Sequence, residues 1–262
     1  MTAEPQDTDD KAPDRVHHPS APAYALALVR TVIYSVVSTT YFFVTTTLFV
    51  WVFLLPPRTT RPIFTAWAKG DIWLLKLIVG QKMEVIGEEN IPKSAALVAS
   101  KHQSAWETYA LLPLLPEGVI FLKKELLKIP IYGWYARHYG MIPIDRSAGS
   151  AALKQLVVDA GAALAKGVQI VIFPEGTRRP VGAPPDYKPG ALFLYEKLKV
   201  PAVPVALNSG LLWPHKRYVK YPGTVRISFL PAIAPGLDRR SFKDALIGAI
   251  ETETDRLVAM GR

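Results

Sequence analysis

His102 and Glu107 stand five positions apart in KHQSAWET at 101–108, directly after an apolar run, and their side chains suit proton transfer. A carboxylate that accepts from one imidazole nitrogen fixes the tautomer and raises the basicity of the other nitrogen, as a general base for a hydroxyl requires. On an ideal helix five residues turn through about 500°, so the two side chains would point roughly 140° apart and could not pair as helical neighbours. They meet only if His102 lies in a loop and Glu107 in the first helical turn after it. Spacing alone favours a plainer reading. Ser104-Ala-Trp-Glu107 has the form of a capping box, in which Glu107 closes the helix start and His102 is a loop histidine. Ser104 beside His102 is a third candidate, as a nucleophile, but a cap position turns its hydroxyl toward the helix amides.

Three further polar stretches follow apolar runs: IDRS at 144–147, FPEGTRR at 173–179 and NSG at 208–210. Residues just past the carboxyl ends of strands are where open α/β sheets gather ligand sites. In FPEGTRR, Pro174 and Gly176 shape a turn, and amides near Thr177 with Arg178 and Arg179 can grip a phosphate or carboxylate. Glu175, an acid among bases at a strand end, indicates an ordered network. Asp145 and Arg146 repeat the pattern, and Lys123-Lys124 end another apolar run. Each base alone is an ordinary surface charge, but several at strand ends make an anion pocket the better account.

These positions need a sheet to hold them. Strand-like runs occur at Met83–Ile86, Ala95–Ala99, Val119–Leu122, Met141–Ile144, Val168–Phe173, Ala202–Leu207 and Val225–Phe229. Helical patterns occur at Trp106–Leu115, Ser150–Lys166, Pro189–Leu198 and Arg240–Met260. The alternation predicts an α/β fold, a mixed twisted sheet of about seven strands flanked by helices, over residues 81–262. Before it, residues 23–80 read as membrane-anchoring helices. Thr31–Leu55 holds no charged residue and would extend about 37 Å as a helix, enough to span a bilayer singly or to dip into it as a hairpin. Residues 61–80 then mix tryptophans with Arg61, Lys69 and Lys76 in the manner of an interfacial helix. Residues 1–22, rich in Pro, Asp and Ala, read as a disordered tail.

The 262 residues carry a net charge of +9, and residues 1–20 contribute −3 of it from five acids and two bases, leaving +12 for the rest. A basic body beside an apolar segment points to an anionic membrane or to phosphate-bearing ligands; nucleic acid would not account for the apolar segment. There is no cysteine, which excludes disulfides, thiolate nucleophiles and Cys-ligated metals. Arg30 before the apolar run and Arg58, Arg61 and Lys69 after it, set against the acidic tail, leave the large domain on the cytoplasmic side.

Together the stretches HQSAWE (102–107), GMIPIDR (140–146), FPEGTRR (173–179) and VPAVPVAL (200–207) resemble, in order, the four motifs of the glycerolipid acyltransferases, and within them of the 1-acyl-sn-glycerol-3-phosphate acyltransferases. Glu107 stands where that family usually has Asp, Pro143 where it has Phe, and Arg179 where it has Ser. The resemblance implies transfer of a fatty acyl group from an acyl-coenzyme A or acyl-carrier-protein thioester to the sn-2 hydroxyl of lysophosphatidic acid, giving phosphatidic acid. It implies His102 as general base oriented by Glu107, Arg146 and Lys124 on the acceptor phosphate, and Glu175, Gly176, Thr177 and Arg178 shaping the rest of the anion site. It implies no metal, no cofactor beyond the thioester co-substrate, no acyl-enzyme, and a place at the inner (plasma) membrane with lipids as partners. The alternatives are another lyso-lipid or glycerol 3-phosphate as acceptor, or a non-catalytic lipid-binding relative. A serine hydrolase is disfavoured, since no Gly-x-Ser-x-Gly elbow occurs.

Overall fold

The computed structural model describes residues 19–145 and 149–261. Two long helices come first. α1 (Ala21–Leu48) passes through a 3₁₀ turn at Val50–Leu54 into α2 (Pro57–Ile78), whose first position is a proline with its φ already helical. α1 begins two residues inside the stretch that composition assigns to a tail.

The remainder is a seven-stranded sheet with helices between its strands. β1 (Gln81–Ile86), β2 (Ala96–Ser100), α3 (Trp106–Ala110), β3 (Gly118–Lys123), α4 (Tyr132–Tyr139), β4 (Ile142–Ile144), α5 (Gly149–Leu164), β5 (Gln169–Ile172), α6 (Pro189–Leu198), β6 (Ala202–Leu207), β7 (Gly223–Phe229) and α7 (Arg239–Met260) follow in turn. The strand order is β1-β7-β6-β2-β5-β3-β4, parallel except for the antiparallel β6–β7 pair. The sheet is thus mixed, as the strand pattern predicts. β2, β5 and β6 are buried at every residue, which is why they read as near-continuous apolar runs, with Ser100 and Gln169 the polar residues among them.

Topology brings the separate polar stretches together. β2 lies between β6 and β5, so the loop carrying His102 is flanked by the loop after β5, which holds FPEGTRR, and by the loop after β6, which holds NSG. β3 and β4 beyond β5 add Lys123-Lys124 and Asp145 at the same carboxyl edge.

Two segments differ from the sequence pattern. The helix expected over Trp106–Leu115 ends at Ala110 and continues only as a 3₁₀ turn at Leu112–Leu114, because Pro113 donates no amide and disfavours helical backbone before it. α4 is short, contains Gly133 and shows no apolar period, so nothing in the sequence marks it. Tertiary contact requires its glycine: a Cβ at Gly133 would lie 2.1 Å from the Leu127 carbonyl oxygen.

α1 and α2 are joined to the sheet domain by polar contacts. Tyr34 Oη and Ser38 Oγ of α1 donate to the two carboxylate oxygens of buried Asp71 in α2, at 2.8 and 2.6 Å. Thr31 Oγ1 accepts from the Lys220 amide at 2.9 Å and Tyr218 Oη meets Ser35 Oγ at 3.0 Å, fixing the first half of α1 beside the β6–β7 connection. α1 is long and apolar enough to cross a membrane, and its Val29, Val36, Phe43 and Leu48 face outward. An outward apolar face of that length needs a non-aqueous neighbour.

Candidate active site

His102 leaves the sheet two residues after β2, and Glu107 is the second residue of α3. This is the loop-then-helix arrangement their spacing requires. His102 Nδ1 lies 2.9 Å from Glu107 Oε1. The same oxygen accepts from the amides of Gln103 and Ser104, each at 2.7 Å, and Oε2 accepts from Ser209 Oγ at 2.8 Å. Two amides, a hydroxyl and the imidazole thus converge on a fully buried carboxylate and use its acceptor capacity. Because that carboxylate can only accept, Nδ1 carries the proton and Nε2 is left basic. Only half of the capping box forms: Glu107 Oε1 takes the Ser104 amide, but Ser104 Oγ accepts from the Trp106 amide at 3.1 Å, and Ala105 is the residue that precedes the helix. The cap and the imidazole pair are one structure: Glu107 does both.

His102 is held from two other sides. Its ring stacks on Phe173, with centroids 4.0 Å apart and 19° between planes, and its carbonyl accepts from the Arg179 amide at 2.8 Å. Ser104, turned into the cap and wholly buried, has no access as a nucleophile.

Glu175 sits beneath this loop with its carboxylate buried. Lys101 Nζ donates to Glu175 Oε1 at 2.8 Å and to both oxygens of Glu251 on α7 at 2.9 Å, while the His102 amide reaches Glu175 Oε2 at 3.4 Å. Tyr187 Oη donates to Glu251 Oε1 at 2.9 Å. Burial raises the Glu175 carboxyl above its ordinary value, with Lys101 opposing it; burial and Glu251 likewise keep the proton on Tyr187. The carboxylate of Glu175 is therefore directed into an internal ion network under the turn. Gly176, at φ 69°, and the Gly176 amide, donating to the Phe173 carbonyl at 2.9 Å, close that turn.

A cavity of about 1080 Å³ opens at His102. Its polar end holds Gly176, Thr177, Arg178 and Lys188; its other end runs between α1, α2 and α4 past Phe42, Phe49, Val52, Phe64 and Tyr135. With Nδ1 committed to Glu107, Nε2 is the nitrogen available to a molecule in this cavity. Lys124 stays outside the cavity wall, half exposed and 3.1 Å from Asp145 Oδ2, while its neighbour Lys123 lines it. Arg146 lies outside the described residues. Among the described residues no group of three His, Asp or Glu side chains is placed to hold a metal.

Lys101, Ser209, Gln103 and Glu251 escaped sequence reasoning. Ser209 belongs to a stretch that its place after a strand singles out, yet its partner is 102 residues away; Glu251 sits in a helix with no polar motif.

Comparisons place these residues among known proteins. The family model Acyltransferase matches residues 82–208, which run from β1 to just past β6. The 1-acyl-sn-glycerol-3-phosphate acyltransferase of Pseudomonas aeruginosa is 38% identical over 207 residues, 78% of this chain and 80% of that protein. The protein of the same name from Saccharomyces cerevisiae is 31% identical over 52% of this chain, and the alpha form from Mus musculus 29% identical over 61%. The chain spans about half the length of those two, 46% and 57%. The crystal structure of the 1-acyl-sn-glycerophosphate acyltransferase of Thermotoga maritima superposes with a TM-score of 0.74 at 23% identity, covering 89% of this chain and 98% of that one. That likeness is one of fold.

Proposed function

Since the chain belongs to the acyltransferase family, we propose that it moves a fatty acyl group from an acyl thioester to the sn-2 hydroxyl of lysophosphatidic acid, giving phosphatidic acid. The observation that carries this reading is a carboxylate-held imidazole at the polar end of a long apolar cavity. His102 Nε2 takes the proton of the acceptor hydroxyl as its oxygen attacks the thioester carbonyl carbon. The tetrahedral adduct collapses, the carbon–sulfur bond breaks, and the departing thiolate recovers the proton from the imidazolium. Glu107 stabilises that cation and keeps the ring in the right tautomer. A thioester is activated enough for direct attack by an oriented hydroxyl, so no acyl-enzyme and no further cofactor enter the scheme.

Arg178, Lys188 and Thr177, which line the polar end of the cavity, are candidates to hold the acceptor phosphate; the resemblance of the motif assigns the same role to Arg146 and Lys124, the latter lying outside the cavity wall beside Asp145. The apolar arm between α1, α2 and α4 takes an acyl chain. Acyl-coenzyme A and acyl-carrier protein both satisfy this chemistry as donors. The basic residues flanking the helices support a cytoplasmic face of the inner membrane for the sheet domain.

Membranes holding the full chain, given labelled acyl-coenzyme A or acyl-carrier protein and a panel of lyso-acceptors, test this directly. Transfer to lysophosphatidic acid is expected, with His102→Ala abolishing it and leaving membrane binding intact. No transfer to that acceptor with either donor would overturn the reading.

A further inference from the structure

Three large apolar side chains of the segment between β3 and β4 reach the surface, while Leu127 and Tyr139 pack inward: Ile129 is 47% exposed, Trp134 56%, and Tyr132, which also edges the cavity, 40%. Two backbone features hold them there. Ile131 has φ 65°, a region that a β-branched residue avoids, and Gly133 lies so close to the Leu127 carbonyl that no side chain fits. The turn before α4 is thus pinned against the domain with its neighbours pointing outward. Lys128 and Arg137 flank these side chains and are exposed as well.

This surface continues into another. Phe53, in the turn between α1 and α2, packs its ring 4.8 Å from Tyr135 and 5.2 Å from His138, and Tyr135 Oη donates to the Thr46 carbonyl at 2.5 Å. That turn presents Trp51 and Leu54, the latter 86% exposed. The apolar wall of the cavity lies between the two, with Tyr132 and Tyr135 on one side and Phe49 and Val52 on the other.

We propose that Ile129, Tyr132 and Trp134 form a second membrane contact, seated in the interface of an anionic leaflet beside the α1–α2 turn, so that the cavity opens between two inserted lips. Continuity with the outward apolar face of the helices argues for a bilayer over other occupants. So does the composition: tryptophan and tyrosine beside an isoleucine, rimmed by lysine and arginine, is what the headgroup region of an anionic leaflet accommodates. A lipid with its acyl chain in the leaflet then reaches His102 without leaving the apolar phase. The proposal rests on the membrane association of the chain, and its lateral-entry consequence rests on the cavity's reading as a lipid site.

The chain has no cysteine, so single cysteines can be labelled in the full protein. Ile129→Cys, Trp134→Cys and Leu54→Cys would carry an environment-sensitive fluorophore, with Ser94→Cys, before the amino end of β2, as control. On vesicles of phosphatidylglycerol and phosphatidylethanolamine, the labels at 129, 134 and 54 shift to the blue and are quenched by lipid-borne nitroxide, while the label at 94 does neither. Trp134→Ser raises the KM for an acceptor presented in vesicles roughly tenfold and leaves turnover in detergent micelles unchanged. A label at 134 as water-accessible on vesicles as that at 94 would overturn the proposal. So would a shift that appears without vesicles and grows with protein concentration, which would assign the surface to a second copy of the chain. The labelling arm reads no turnover, so it stands or falls apart from the acyl-transfer reading.

Discussion

Glu107 receives four hydrogen bonds, three on Oε1 and one on Oε2, and this decides what a substitution there does. In Glu107→Gln the amide oxygen keeps the three bonds at the loop, and the Ser209 hydroxyl rotates to accept from the new amide nitrogen. Geometry survives and only the charge is lost. The turnover of acyl transfer should then fall about 100-fold, the lower end of what a positioned general base contributes, with thermal stability little changed. Full activity would remove Glu107 from the chemistry and leave it a cap. Under the same loop, Lys101 offsets two carboxylates. Removing it as Lys101→Met leaves Glu175 and Glu251 facing each other, at a cost of about 3–5 kcal/mol in denaturant unfolding, and adding Glu251→Gln recovers part of this. Burial raises the Glu175 carboxyl, so the folded state holds its proton more tightly than the unfolded one. Its contribution is complete below the ordinary glutamate value near 4.5 and is lost as pH rises through the raised one. Lys101→Met removes the opposing charge and should extend that loss to higher pH, seen as a steeper fall of stability across the acid range; an unchanged slope would mean Glu175 does not titrate there.

α3 and α4 both line the cavity. α3 is short because proline stops it, and that places Thr108 and Tyr109 at the cavity while Glu107 faces the loop. α4 was not legible in the sequence: eight residues with five aromatic or histidine side chains and a glycine carry no helical period, and its position is set by contact with Leu127, Phe53 and Thr46. Ala136 sits on its inner face, lining the cavity at 7% exposure. Ala136→Phe fills part of the apolar arm. Transfer from long-chain thioesters should drop at least tenfold relative to short-chain ones, read as a ratio of kcat/KM; an unchanged ratio would show that acyl chains run elsewhere.

At the scale of the molecule, a basic body carries an apolar helix, α1, paired with an amphipathic one, α2, with Asp71 buried between them by Tyr34 and Ser38. Two forces therefore hold the protein at a leaflet, and they separate by salt. Raising ionic strength from 0.05 to 0.5 M shortens the Debye length from roughly 14 to 4 Å and weakens the contribution of exposed lysine and arginine, without touching apolar burial. Binding to vesicles rich in phosphatidylglycerol should weaken by about tenfold in sedimentation, whereas binding to neutral vesicles should hardly change. Equal loss on both would show that the positive charge plays no part.

The sequence by itself determined the alternation of strands and helices, the apolar anchor and the residues with chemical capacity, because buried parallel strands are near-continuous apolar runs and each polar stretch follows one. Spacing alone favoured a cap over a catalytic pair in HQSAWE, because spacing describes a single helix and the pair spans a loop and a helix. Tertiary structure joined the two arrangements: strand order put β2 between β5 and β6, and Glu107 took the Gln103 and Ser104 amides, His102 and Ser209 at once. It alone supplied Lys101's partner on α7, 150 residues away, and the cavity between helices, since both depend on which faces meet.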